Sequence, residues 1–188
     1  MLRVPKAVSV AKSGEPDGFL PEAAWFQEVL AGGYTRLTVS VPSERLETVH
    51  RALVRALAAP LRVLYVRLTD RAAGRRLDPP HRWVALDLEP NHLDAAMAGH
   101  RGLIYHDGRH QLWVQGSGED RVVLEETGVM YVYPDDPSFR DVLTAQGLPE
   151  HRRQTMADRD FVRVEFSAAA DAEELDLRSA IGLVPYTR

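Results

Sequence analysis

The chain has 188 residues, of which 45% are hydrophobic and 27% charged, and its formal net charge is −4 at pH 7. This length and composition are typical of a soluble globular protein with one domain or two small ones, large enough to fold without a metal or a disulfide. The absence of cysteine excludes disulfide frameworks, thiolate zinc sites, cysteine nucleophiles and cysteine-ligated iron–sulfur clusters.

Two further features of the composition concern the origin and location of the protein. The amino-terminal residues lack the apolar core of a secretory signal, and no segment has the ~20 consecutive apolar residues of a membrane span. We therefore expect a cytoplasmic protein without membrane association. Only Lys6 and Lys12 among the 23 basic residues are lysines. Because arginine and alanine codons are GC-rich, this bias and the abundant alanine indicate a bacterial genome.

The first elements in chain order are an arm and a helix. Residues 1–18 are rich in proline and glycine, with few periodic apolar positions, which predicts a mobile arm before a single domain over residues 19–188. A helix is predicted to begin at Pro21 and to end at Gly32-Gly33, with apolar residues at helical spacing. These residues are Trp25, Phe26, Val29 and Leu30.

A strand, a helix and a second strand follow with short connections. Residues 34–41 alternate between apolar and polar positions, which predicts a strand. Residues 44–57 carry one apolar stripe at helical spacing, formed by Leu46, Val49, Leu53 and Leu57. Residues 61–69 have apolar side chains on both faces and predict a central strand. The three elements together predict a right-handed βαβ unit.

The middle of the chain contains a predicted loop, strand and helix. Residues 70–81 combine turn formers and charges, so we predict a long surface loop and a possible internal boundary. In the strand predicted at 82–89, Val84, Leu86 and Leu88 would face the core, and the intervening residues the solvent. Asn91 is placed to begin a helix that runs through His100.

The second half of the chain predicts mainly hairpins. Strands are expected at 103–106 and 109–115 around Asp107-Gly108, and at 121–126 and 129–133 around Thr127-Gly128. A helix capped by Asp136 precedes a polar connector over 149–160, a strand at 161–166 and a helix at 171–181. The predicted fold is therefore α+β: a mixed sheet with one βαβ unit followed by antiparallel hairpins, and helices mainly on one face.

A metal site is one functional hypothesis. Asp87 and Glu89 would leave the same face of a strand that leads into the helix carrying His92, and two carboxylates with an imidazole can hold a divalent cation. His81 or His106 could complete the set, since five of the seven histidines lie between positions 81 and 110. A small metal-dependent enzyme is the resulting alternative, although any strand with one wet face shows the same alternation.

Anion or nucleic-acid binding is a second alternative, through arginines on the helix at 44–57 and in the loop at 70–81. The residues are Arg51, Arg55, Arg71, Arg75 and Arg76. Arginine forks suit phosphates and carboxylates. However, the 27 acidic residues outnumber the 23 basic ones, so the chain as a whole does not attract a polyanion, and nucleic-acid binding is not favoured.

The preferred hypothesis is a non-enzymatic protein-binding module, such as a regulator, an immunity-type inhibitor or an accessory component of an assembly. The sequence contains no dinucleotide-binding, P-loop, zincin or nucleophile-elbow motif, and we predict no catalytic residue and no cofactor. Tryptophan and arginine on a wet strand face are typical anchors of interfaces. The candidate residues for binding another protein or a second copy are Trp83, Trp113, Arg109 and Gln111.

Overall fold

The computed structural model describes residues 4–70, 72, 74–165 and 168–186. Its strands are β1 (Ala7–Ser9), β2 (Ala24–Val29), β3 (Thr35–Ser40), β4 (Leu61–Asp70), β5 (Arg75–Leu88), β6 (His110–Gln115), β7 (Arg121–Leu124), β8 (Met130–Tyr133), β9 (Phe161–Arg163) and β10 (Val184–Pro185). Its helices are α1 (Ser43–Arg55), α2 (Pro90–Gly99), α3 (Arg101–His106), α4 (Pro137–Ala145) and α5 (Ala169–Ala180). The fold is α+β, as the sequence predicts.

Eight of these strands form one sheet in the order β10-β5-β4-β6-β7-β8-β3-β2. Every neighbouring pair in it is antiparallel. The remaining strands, β1 and β9, pair antiparallel as a separate small sheet. The main sheet therefore has two edges, at β10 and at β2.

The predicted βαβ unit is not confirmed. Four successive antiparallel pairings separate β3 from β4, so the two strands run in the same direction, but β8, β7 and β6 lie between them. Helix α1 therefore connects strands that do not exchange hydrogen bonds. The physical reason is that β6, β7 and β8 join through short turns and enter the sheet as one meander, between strands that precede them in the chain.

One face of the main sheet, the inner face, carries the core. Inner-face side chains of the main sheet, from β2 at one edge across to β5 near the other, pack with the buried sides of all five helices in a single apolar cluster. The inner-face members of this cluster are Trp25, Leu37, Val39, Leu61, Val63, Tyr65, Trp83, Ala85, Leu112, Val114, Val122, Leu124, Met130 and Val132. The expectation that helices lie mainly on one face is therefore confirmed.

We call the opposite face of the main sheet the outer face. The small sheet and the residues next to it cover one end of this face and leave the other end open. Ala7 of β1, Val129 and Met156 form a second apolar cluster at the covered end, against which Phe19 and Tyr131 pack. The residues predicted as a mobile arm thus include a strand that pairs with β9. Among the helices of the described ranges, none has the length and apolarity that a membrane span requires.

The helix predicted from Pro21 is wrong, because these residues form β2. Its Trp25 faces the inner side opposite Val39, and the next residue, Phe26, lies on the outer face below the guanidinium of Arg152. Apolar residues on both faces of one strand imitate the i, i+1, i+4 spacing of a helix. Gly32 and Gly33 have positive φ angles and form the turn of the β2–β3 hairpin.

The long loop predicted at 70–81 is also wrong for most of its length. Residues 75–81 are the first half of β5, and they pair with β4 at Asp70↔Arg75, Thr69↔Arg76 and Arg67↔His81. The charges in this segment lie on exposed strand positions at the end of a hairpin, so polarity here marks a solvated strand pair and not a break in structure.

The strand predicted at 103–106 is instead helix α3, which follows α2 directly after His100. Asp107-Gly108 is consequently the junction between α3 and β6 and not a hairpin turn. The Asp107 carboxylate accepts from the backbone N–H of Arg109 at 2.8 Å and caps this junction. Leu103, Ile104 and Tyr105 are all buried, so this short apolar run has no exposed position that would distinguish a helix from a strand.

The faces of β5 are opposite to the predicted ones until a β-bulge. Trp83 and Ala85 are buried on the inner face, whereas Leu86 is 60% exposed. The register then shifts between Ala85 and Leu88, and Asp87 adopts a left-handed conformation with φ 57°. Leu88 returns to the core after the bulge. One extra residue therefore breaks the period of two from which these faces were predicted.

Candidate functional site

A row of apolar side chains crosses the outer face at the end that the small sheet leaves uncovered. Cross-strand partners place Trp113 beside Leu64, Leu64 beside Val84, and Val84 beside Val184. Leu86 follows Val84 by two residues on the same strand. We call these five residues the outer patch; they come from β4, β5, β6 and β10.

The outer patch is accessible to solvent. Leu86 and Val184 are 60% and 57% exposed, and the other three side chains are partly exposed. The indole Nε1 of Trp113 donates to Oε1 of Gln111 at 3.1 Å, which holds the ring in one orientation on the sheet. The patch thus combines an aromatic ring of fixed orientation with aliphatic side chains, and members on neighbouring strands lie within contact distance of one another.

Three exposed arginines flank the outer patch. Arg62 and Arg121 both pair with Gln115 on one side of the apolar row, and Arg82 pairs with Val66 on the other side. In the described part of the chain, none of these three arginines forms an ion pair with a carboxylate, and the guanidinium of Arg121 lies 4.9 Å from the centre of the Tyr133 ring. This side of the sheet therefore carries positive charge that the rest of the structure does not neutralise.

Of the four interface residues predicted from sequence, two lie on the outer face. Trp113 belongs to the outer patch, and Gln111 donates to Oε2 of Glu126 at 2.6 Å beside it. Trp83 lies on the inner face below the Arg178 guanidinium of α5, 4.3 Å from the ring centre. The side chain of Arg109 is 1% exposed, so it is held inside the protein.

Arg109 is part of a buried network of charges and not of a surface. Its Nε donates to both carboxylate oxygens of Asp107 at 3.0 and 2.8 Å, and its Nη2 donates to the Ala170 carbonyl at 3.2 Å. Nη1 contacts the Asp171 carboxylate at the start of α5. This arginine therefore joins the α3–β6 junction to α5.

The residues of the proposed metal site do not converge. Asp87 and Glu89 are exposed, and Nε2 of His92 lies 2.9 Å from the carbonyl oxygen of Ala180. In the ranges that the structure covers, no three His, Asp or Glu side chains are grouped as metal ligands. The histidines that could have completed the set are dispersed as well, with His81 against Arg67 and His106 bonded to the Val4 carbonyl.

The predicted anion-binding arginines are divided between neutralised and exposed positions. Arg51 forms a two-point contact with Asp94, at 2.9 and 2.6 Å, and also bonds Glu47. Arg55 shares the same Asp94. These contacts lower the pKa of Asp94 to about 2, chiefly through Arg51. Arg75 and Arg76 are exposed on β5, whereas Arg71 lies outside the described residues.

A second cluster of buried polar side chains, separate from the Arg109 network, lies in the interior. The Nζ of Lys6 donates to the Ile104 carbonyl at 2.9 Å and is 3.5 Å from Nε2 of His110, and burial lowers the pKa of Lys6 to about 7. Burial also lowers the pKa of His50, to about 3, and that of His110. Because Lys6 is only 1% exposed, this cluster cannot reach a substrate in the described conformation.

An apolar cleft of about 430 Å³ lies between the amino-terminal segment and the start of α1. Its walls include Phe19, Val41, Leu46, Val129 and Met156. The volume is within the range of small-molecule pockets. Aliphatic side chains and prolines dominate the lining, so the cleft offers shape rather than polar recognition.

Comparison of the chain with protein-family models, curated proteins and solved structures finds no match.

Sequence reasoning missed most of the outer patch. One signal was present in the sequence: apolar residues occupy both faces of residues 61–69, which places Leu64 on the face that the helices do not cover. The neighbours of Leu64 come from distant parts of the chain, so no local pattern could assemble the patch.

Proposed function

We propose that this protein is a protein-binding module that recognises its partner through the outer patch, in the cytoplasm of a bacterium. The observation that carries the proposal is the exposure of Leu86 and Val184 in one row with Trp113, on a sheet face that no described helix covers. Contiguous apolar side chains of this kind on a soluble protein mark interaction surfaces.

The composition of the surface supports binding over catalysis. Tryptophan and arginine are the residues that contribute most to protein interfaces, and here Trp113 is surrounded by aliphatic side chains and by Arg62, Arg82 and Arg121. Aliphatic side chains have no acid, base or nucleophile to offer a reaction. Their burial by a partner stabilises a complex by roughly 25 cal/mol for each Å² of apolar surface removed from water.

Site-specific photo-crosslinking in the native host tests the proposal. A photoreactive phenylalanine analogue replaces Leu86 in one strain and Leu175 in another; Leu175 is 62% exposed on α5, away from the sheet, and is the matched control. We expect a covalent adduct of discrete mass, with one protein or with a second copy, at position 86 only. Equal adducts at both positions, or none at position 86, would contradict the proposal.

A companion variant shows whether the adduct depends on the patch. Trp113→Ala removes the aromatic ring in the middle of the row and is expected to reduce the adduct at position 86 at least fivefold. Circular dichroism and thermal unfolding verify that the variant is folded. Trp83, the other tryptophan predicted from sequence to bind a partner, is unsuitable here because it lies on the inner face and its truncation would leave a cavity in the core.

A further inference from the structure

We infer that the partner presents an acidic amphipathic helix to the outer patch, with its apolar side chains on the row and its carboxylates on the flanking arginines. This inference rests on the proposed function. It names the chemistry of the partner from two properties of the surface, its charge and its dimensions.

The charge of the surface selects an acidic partner. Arg62, Arg82 and Arg121 are exposed and have no carboxylate of the described chain at ion-pair distance, while other arginines such as Arg51 and Arg140 have theirs. An arginine fork without a carboxylate partner can bind one at two points. Carboxylates brought to this surface would therefore meet complementary charge on both sides of the apolar row.

The length of the row matches a helix of moderate size. From Trp113 on β6 to Val184 on β10, the outer patch crosses four neighbouring strands. At roughly 4.8 Å between strands this is about 14 Å, the length of a helix of about 10 residues. One helical turn rises about 5.4 Å, so successive apolar side chains of the helix would fall near successive strands.

The width of the surface matches as well. Arg62 and Arg82 stand two residues along their strands from Leu64 and Val84, on opposite sides of the row. Two residues of a strand span about 6.6 Å, so the two lines of arginine are about 13 Å apart. A helix with its side chains is about 10–12 Å wide, and glutamates on its two flanks would reach both lines.

A single-stranded nucleic acid is the competing ligand for arginines beside aromatic rings. Such ligands require several aromatic faces on which successive bases stack. Trp113 is the single aromatic member of the outer patch, and the ring of Tyr133 beside it on this face is already in contact with the Arg121 guanidinium, 4.9 Å from the ring centre. The surface thus fits the apolar stripe of a helix better than a series of bases.

Peptide binding to the purified protein tests the inference. The probe is a synthetic 18-residue helix with leucines at positions i, i+3, i+4 and i+7 of each repeat and glutamates on both flanks. One control peptide replaces the glutamates by lysines, and a 20-nucleotide oligo-dT is the third ligand. By fluorescence anisotropy we expect the acidic peptide to bind at least tenfold more tightly than the lysine peptide.

Charge reversal locates the binding site. The double variant Arg62→Glu/Arg121→Glu is expected to weaken the binding of the acidic peptide at least tenfold, because both arginines lie on one side of the row. The matched control is Arg75→Glu/Arg76→Glu, which reverses two exposed arginines at the far end of β5 and should change the affinity less than twofold. Equal effects of the two changes would overturn the inference.

The remaining outcomes separate this inference from the proposed function. An adduct at position 86 in cells, without preference for the acidic peptide in vitro, overturns the acidic helix and leaves the protein-binding function standing. Tighter binding of oligo-dT than of the acidic peptide, lost on the same arginine changes, makes the ligand a nucleic acid and overturns both. Neither an adduct nor peptide binding also overturns both.

Discussion

The amine of Lys6 lies 3.5 Å from Nε2 of His110, and both side chains are fully enclosed by the protein. Lys6 comes from the segment before β1, and its amine also donates to the Ile104 carbonyl of α3 at 2.9 Å. The amino-terminal segment is therefore anchored in the interior by a group whose charged form is destabilised by burial.

This anchor makes stability depend on pH in a defined direction. The pKa of Lys6 is lowered from 10.5 to about 7 by burial, against the attraction of Asp107 and Glu126. Between pH 7 and pH 10.5 the unfolded chain holds a proton that the folded chain lacks, so the contribution of Lys6 to stability rises with pH. Below pH 7 the destabilising contribution is present in full.

We expect Lys6→Met to remove this dependence. From pH 7 to pH 9.5 the wild type should gain about 3 kcal/mol of unfolding free energy relative to the variant, at about 1.4 kcal/mol per pH unit. Urea denaturation at the two pH values measures the difference. Lys12→Met changes an exposed lysine of the same segment and should show no such gain. Parallel pH profiles for the wild type and Lys6→Met would show that the amine is solvated.

Gly108 is the point of closest approach between the amino-terminal segment and the α3–β6 junction. A Cβ built at this residue would lie 2.3 Å from the Lys6 carbonyl oxygen and 3.1 Å from Cβ of Arg163. Gly108→Ala should therefore displace the segment and destabilise the protein by about 2 kcal/mol, a typical cost of overpacking. Limited proteolysis of the amino-terminal residues and thermal unfolding measure the effect.

Gly118 supplies the comparison for that substitution. A Cβ at Gly118 meets no atom within 4 Å, so Gly118→Ala should leave both readouts unchanged. If Gly108→Ala behaves like Gly118→Ala, the segment does not pack against the junction as described.

The buried pair of Arg109 and Asp107 predicts a large effect of a small change. Their side chains are 1% and 0% exposed, and the pairing raises the pKa of Arg109 against the effect of burial. Asp107→Asn keeps the size of the side chain but leaves the guanidinium without its main counter-charge. We expect a loss of about 3 kcal/mol, the lower end for a broken buried pair because the contact with Asp171 remains.

An exposed pair serves as the control for Asp107→Asn. Arg140 bonds Glu150 at 3.2 Å, and the Glu150 side chain is 51% exposed. Glu150→Gln should cost less than about 1 kcal/mol, as surface pairs do. Chemical denaturation of the two variants gives the comparison, and similar losses would mean that the interior pair is effectively solvated.

Glu125 predicts a pH effect of the opposite sign to that of Lys6. Burial, reinforced by the neighbouring Glu126, raises the pKa of Glu125 from 4.5 to about 7. Between these values the folded chain holds the extra proton, so the contribution of Glu125 to stability falls as pH rises from 4.5 to 7. Above pH 7 the protein contains a partly buried carboxylate that costs free energy.

Glu125→Gln should therefore stabilise the protein at pH 8 by roughly 2 kcal/mol and have little effect at pH 4.5. Thermal unfolding at both pH values tests this expectation. Glu119→Gln, at an exposed position of the β6–β7 loop, should change neither. A stabilisation that is the same at both pH values would assign the effect to packing and not to ionisation.

The sequence predictions are accurate where the structure is determined by contacts between residues that are close together in the chain. Helix α1 was predicted nearly to its ends, because the stripe formed by Leu46, Val49 and Leu53 is a property of adjacent turns. The cap of α4 was predicted as well, and the Asp136 carboxylate accepts from the Ser138 N–H at 2.8 Å. Both the helix and its cap depend on contacts between residues fewer than five positions apart in the chain.

The errors occur where a distant partner decides the structure. Trp25 and Phe26 belong to a strand because β3 pairs with them, although their own spacing favours a helix. Leu86 is exposed because a bulge at Asp87 changes the register of β5 against β4. Neither the partner nor the bulge leaves a mark in a short window of sequence.

The amino-acid sequence by itself determined the α+β class, the amphipathic helices and the absence of cysteine chemistry, since composition and periodicity act through neighbours along the chain. Only the tertiary structure decided that Arg109 and Trp83 are enclosed, and that Leu64, Val84, Trp113 and Val184 meet on one open face. The reason is physical: the order of strands in a sheet brings together residues more than a hundred positions apart, and that order is set by the packing of the whole core.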